Sequence, residues 1–196
     1  MDMDGVKVIE YEDGTKKWYK NDEPHRVGGP ALIFANGDKY WCKDGKYHRV
    51  GGPAIELANG DKYWYLDGDY HRLDGPAIEL ANGDKYWCKK GGYHRDDGPA
   101  IERADGGKEW WVNGGRDRVG GPAIERANGD KYWCKDGKYH REDGPAIEHE
   151  NGDNYWFIDG RGLTERDNAA GGSQVGVLGP MPSTGGVTWH DGVHRW

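Results

Sequence analysis

Prolines fall at Pro30, Pro53, Pro76, Pro99, Pro122 and Pro145, each inside Gly-Pro-Ala, at an unbroken step of 23 residues. Tryptophans keep the same step at Trp18, Trp41, Trp64, Trp87, Trp110, Trp133 and Trp156, so six full units and the start of a seventh stand in tandem. A unit this short cannot bury a hydrophobic face alone; it stacks on its neighbours to form a solenoid or array. The apolar material is also unusual. Hydrophobic residues make up only 35%, yet there are 10 Trp and 12 Tyr. Flat aromatic side chains in a chain of mean hydropathy -1.03 suit an interior one side chain thick better than a globule. The 34 Gly recur in register with the aromatics and read as turn punctuation.

Within a unit, Asn-Gly (in LANGDK) and Asp-Gly (in KDGK or LDGD) separate strand-like segments, and both dipeptides accept the positive φ angles of tight hairpin turns. A two-residue closure at Asn59-Gly60 predicts Ile55 across from Trp64, Leu57 from Lys62 and Glu56 from Tyr63. Ile55, Leu57 and Trp64 then share one face, with Glu56 and Tyr63 on the other. The next turn, Asp67-Gly68, predicts His71 opposite Trp64 and Arg72 opposite Tyr63, so that each Trp is flanked by an Ile and a His. HRxxGPA reads as a bent return strand, because Pro cannot donate to a ladder and Gly permits a kink. The expected fold is all-β: an elongated antiparallel sheet of tandem stacked hairpins with a single-layer core, roughly 65 Å long at two strands per unit.

The 23-residue length, the Ala58-Asn59-Gly60 and Ala104-Asp105-Gly106 turns and the aromatic strand before a Gly turn resemble MORN repeats, which are β-hairpins stacked in a row. The phrase His71-Arg72-Leu73-Asp74-Gly75-Pro76-Ala77 is similar to a MORN-like subfamily of HRxDGPA repeats in phage, giant-virus and bacterial proteins. The resemblance covers residues 6–160 and implies architecture, with little said about activity.

Residues 1–160 are thus expected to form the array, and residues 161–187 a Gly-rich extended arm. Residues 188–196, TWHDGVHRW, echo half a repeat. Trp189, His194, Arg195 and Trp196 are its candidate capping or assembly residues, since the ends of repeat arrays need cover. A doubled rhythm of 46 residues runs through the array: Cys42-Lys43, Cys88-Lys89 and Cys134-Lys135 alternate with Tyr65-Leu66, Trp111-Val112 and Phe157-Ile158. Either a two-unit ancestor was duplicated, or the greasier units pack against the tail or a partner. The spacing makes mutual disulfides implausible, and the cysteines read as small buried fillers. The fifth unit departs most, with Glu109 and Arg116 in place of Tyr and Asp117 in place of His.

His25, His48, His71, His94 and His140 each precede Arg. One per unit, about 9.6 Å apart, they lack the clustering a metal needs. The structural reading packs His on Trp and sends Arg to Tyr by cation–π contact, or to the acidic row Glu56, Glu79, Glu102, Glu125 and Glu148. The functional reading makes Trp41, Trp64, Trp87 and Trp133, with His48-Arg49, His71-Arg72, His94-Arg95 and His140-Arg141, a face for a partner or ligand. Enzymes need a singular pocket in which nucleophile, base and orienter converge. Repetition supplies none, and neither a metal nor another cofactor is expected. The net charge of -7 opposes nucleic-acid binding, and neither a secretory signal nor a membrane-spanning run is visible.

The expected function is therefore a non-enzymatic scaffold or interaction protein of phage, viral or bacterial kind. It would be cytoplasmic or part of a viral particle, and would join itself or a protein partner through its sheet edge or C-terminal arm. One alternative is a carbohydrate- or choline-binding module using the aromatic rows. Another is an acidic inhibitor or decoy of host proteins.

Overall fold

The computed structural model describes residues 5–163. The expected arm and the capping residues Trp189, His194, Arg195 and Trp196 lie outside the described residues. Fourteen strands follow one another in chain order across a single antiparallel sheet, from Lys7–Glu10 and Lys16–Lys20 at one end to Ile147–Glu148 and Asn154–Tyr155 at the other. Glu23–Pro24 pairs off this path with Lys16–Lys20. The sheet is not closed into a barrel, and the described residues contain no helix, hence none long and apolar enough to cross a membrane. The third unit is representative: Ile55–Glu56 and Lys62–Tyr63 join the long sheet, while Tyr65–Leu66 and Asp69–Tyr70 form a separate two-stranded hairpin.

The two turns of a unit close differently. At Asp67-Gly68 both residues are left-handed, φ 54° and 94°, and Tyr65 stands opposite Tyr70. This is the expected tight turn, and His71 N–H reaches Trp64 C=O at 3.0 Å. At Asn59-Gly60 only Gly60 is left-handed, at φ 98°. Asn59 Oδ1 instead accepts the Asp61 N–H at 3.0 Å, and Gly60 N–H donates to Leu57 C=O at 2.9 Å. The loop is therefore three residues long and ends in a glycine bulge.

The extra loop residue shifts the register by one, which exchanges faces along the strand. Ile55 stands opposite Tyr63 and Glu56 opposite Lys62, correcting the expected Ile55–Trp64, Glu56–Tyr63 and Leu57–Lys62 pairs. Tyr63 also faces Ile78, so it is not opposite Arg72. Trp64 N–H goes to Ala77 C=O at 2.7 Å. Isoleucine and tyrosine therefore share the core face, while a ladder of alternating Glu and Lys runs along the other.

The alanines of Gly-Pro-Ala, from Ala31 to Ala146, are fully buried, and the residues after them, Leu32, Ile55, Ile101, Ile124 and Ile147, are buried too, with Ile78 half-buried. The doubled rhythm has a packing cause. Tyr47 meets Tyr65 at 5.2 Å between ring centroids, Tyr93 meets Trp111 at 5.3 Å, and Tyr139 meets Phe157 at 5.5 Å. Each aromatic of a greasier unit thus fills space beside the tyrosine of the preceding Cys unit, so these side chains pack within the array. Cys42, Cys88 and Cys134 are buried and free of disulfides, and burial pushes each thiol up to about 12.

Candidate functional site

Strand alternation sets each Trp on the side away from the Ile and Tyr beside it, where the arginine of its own unit covers it. The Arg49 guanidinium carbon lies 3.8 Å from the Trp41 ring centroid; Arg72 over Trp64, Arg95 over Trp87 and Arg141 over Trp133 lie at 4.1, 4.1 and 4.0 Å. The cation–π partner is therefore Trp, not the expected Tyr. The acidic row is met as expected: Arg49 Nη1 donates to Glu56 at 2.7 Å and to Pro53 C=O at 2.9 Å. Arg72, Arg95 and Arg141 repeat both bonds, to Glu79, Glu102 and Glu148 and to the following prolines.

This arrangement explains the glycine before each proline. A Cβ on Gly52 or Gly75 would sit 2.9 Å from the guanidinium carbon of Arg49 or Arg72, and one on Gly144 would sit 2.8 Å from that of Arg141. The guanidinium is layered between an indole and a glycine. The tryptophans themselves are half-buried, and Trp87 and Trp133 also pack against the core clusters. They are therefore neither free platforms nor full core.

The histidines face the next unit and do not pack on Trp as expected. His25, His48 and His140 bring Nδ1 to 2.8, 2.8 and 2.9 Å from the carboxylates of Asp44, Asp67 and Asp159, nineteen residues on. The same Nδ1 atoms lie 3.1 to 3.3 Å from those residues' N–H groups. Nδ1 can donate to the carboxylate or accept from the amide, depending on its proton. His94 accepts from Asn113 N–H at 3.1 Å, and its Nε2 comes within 3.1 Å of Asp96 Oδ1 without hydrogen-bond geometry. For His71 the next turn offers Lys90 in place of an Asp. The candidate residues thus come together as Trp–Arg pairs within a unit and as His bonds between units. Among the described residues no group of three His, Cys, Asp or Glu is placed to hold a metal ion.

A further series of bonds joins units across twenty residues. Asp38, Asp61 and Asp84 accept the N–H of Ala58, Ala81 and Ala104 at 2.7 Å, and Asp130 accepts that of Glu150 at 3.0 Å. In the fifth unit this aspartate is Gly107. There the tyrosine pair that stacks elsewhere, as Tyr86 does with Tyr93 at 5.9 Å, is replaced by Glu109 and Arg116 together. Glu109 is buried, binding Arg103 at 2.8 Å and Arg116 at 3.1 Å and accepting from Trp111 Nε1 at 3.3 Å. Burial would raise its carboxyl, but the two guanidinium groups outweigh this and hold it below the usual range. Asp117 takes over the histidine's role by accepting the Asp136 N–H at 3.0 Å.

No family model matches the chain, and no curated protein matches it.

A cavity of about 660 Å³ lies at the fifth unit, lined among others by Arg103, Gly107, Glu109, Arg116, Arg126 and Tyr132. Glu109, Arg116 and Asp117 are visible in the sequence as departures. Arg103 and Gly107, which belong to the same cluster, were not recognised there. Their signal was present: sister units carry Leu57 or Leu80 where Arg103 stands, and Asp61 or Asp84 where Gly107 stands.

Proposed function

We propose that the protein is a non-enzymatic scaffold that joins protein partners, itself included, through the edge of its sheet or its C-terminal arm. The observation that carries this reading is that the repeated Trp, Arg and His side chains are engaged within and between units, so repetition serves length and stiffness. The outermost described strands, Lys7–Glu10 and Asn154–Tyr155, each have one neighbour in the sheet among the described residues, and a strand with an open edge recruits another. The MORN-like resemblance and a phage, viral or bacterial setting belong to the same proposal and rest on the wording of the repeat. A sugar-binding role is less favoured, because a ring stacking on Trp64 would have to displace a guanidinium that also bonds Pro76 and Glu79.

The test is light-scattering mass after size exclusion for the full chain and for a chain ended after Gly160. A defined oligomer for the full chain, with a monomer or aggregate for the shorter one, supports the proposal. The same well-behaved monomer for both overturns it.

A further inference from the structure

The departures of the fifth unit converge on one place and leave one thing missing. At every neighbouring junction a side-chain oxygen receives the backbone N–H twenty residues on: Thr15 from Ala35, then Asp38, Asp61, Asp84 and Asp130 in their turn. Gly107 has no carboxylate to offer Ala127, and Ala127 lines the cavity. Positive charge is gathered around this gap. Arg103 and Arg126 stand where sister units have Leu57 and Leu80, and Arg116 stands where they have Tyr. Arg126 lies 5.0 Å from the Tyr132 ring centroid and meets no carboxylate within salt-bridge distance among the described residues.

The acidic groups of the wall are already engaged. Glu109 holds Arg103 and Arg116, Glu125 is bound by Arg118 at 2.7 Å, and Asp105 accepts the Gly107 N–H at 2.8 Å. Ile124, Tyr132 and Tyr139 supply an apolar wall. The volume of about 660 Å³ is that of a small-molecule site.

We infer that this cavity binds a small molecule carrying a carboxylate on an apolar or aromatic body. Its carboxylate takes the place of the aspartate missing at Gly107, accepting from Ala127 N–H and from the guanidinium of Arg126, while its body lies against the half-buried Tyr139. Arginine suits this role because its planar fork matches a carboxylate with two parallel donors.

The probe is benzoate, titrated into the isotope-labelled full chain and followed by the amide resonance of Ala127 and the Arg126 side chain, with benzyl alcohol as the uncharged control. Saturable benzoate shifts at both groups, with none from benzyl alcohol, are expected. Two variants place sister-unit residues in the site and so keep the fold. Asp105→Asn with Gly107→Asp restores the built-in carboxylate and should abolish the shifts. Arg126→Leu should weaken binding at least tenfold. The inference is overturned if benzoate gives no saturable shift, if benzyl alcohol acts equally, or if the restored carboxylate leaves benzoate binding unchanged.

Discussion

Arg72 touches an indole, a proline carbonyl and a glutamate and fills the space a Cβ on Gly75 would need, so the sense of R-x-x-G-P-A lies in one side chain. Gly75→Ala would bring a methyl group to 2.9 Å from the guanidinium carbon. Overpacking of this kind costs about 1–3 kcal/mol, and we expect a lower denaturant midpoint. The same alanine placed in an Arg72→Ala background should cost much less, because the obstacle has gone, and a double-mutant cycle reads the difference. In the fifth unit, Glu109→Tyr alone strips Arg103 and Arg116 of their shared partner and should destabilise by roughly 2–4 kcal/mol. Adding Arg116→Tyr rebuilds the stacked pair of the sister units and should recover most of the loss. Asp130 gives a pH test: burial pushes its carboxyl up, but the Glu150 N–H, His149 and Asn128 outweigh this and hold it at about 2. A carboxyl depressed on folding lends stability that is complete above its unfolded value, near 4, and is lost as pH falls toward 2. Asp130→Asn should therefore flatten the fall in unfolding midpoint between about pH 5 and 2.

At the scale of the hairpin, the period, the strand content and the Asp67-Gly68 turn were legible because each rests on local backbone preference. The register across Asn59-Gly60 was not. Asn-Gly suits both a two-residue and a three-residue loop, and what decides between them is the Asn59 side chain accepting the Asp61 N–H, a bond the dipeptide alone does not announce. That single residue of slip also hid the partner of Arg72: with Trp64 assigned to the isoleucine face, Tyr63 looked like its nearest ring. The bonds from His48 to Asp67 and from Asp61 to Ala81 were illegible for another reason, since they join units and only stacking sets their geometry. Gly60→Ala tests the loop. At φ 98° a Cβ is strained, and a cost of at least about 1 kcal/mol is expected, with the Ala81 resonances shifting, since the new Cβ would stand 3.5 Å from that methyl group. Asn59→Asp, which copies the Asp105-Gly106 turn, should be nearly neutral.

At the scale of the molecule, stability is close to a sum over units and the interfaces between neighbours. The interfaces come in two kinds, because a Cys unit and an aromatic unit alternate, and Tyr47, Tyr93 and Tyr139 each lean on the large side chain that follows. Removing residues 64–86 sets Cys42 beside Cys88 and leaves Tyr47 with no ring in the following unit to replace Tyr65. Removing residues 41–86 leaves the alternation of Cys88, Trp111, Cys134 and Phe157 untouched. The longer deletion should unfold at the higher temperature, although it discards twice as much chain. Such an array changes its length in even numbers. Recombination between look-alike repeats would produce every copy number, and only genes that gained or lost two words at a time would encode a chain whose rings still find their partners.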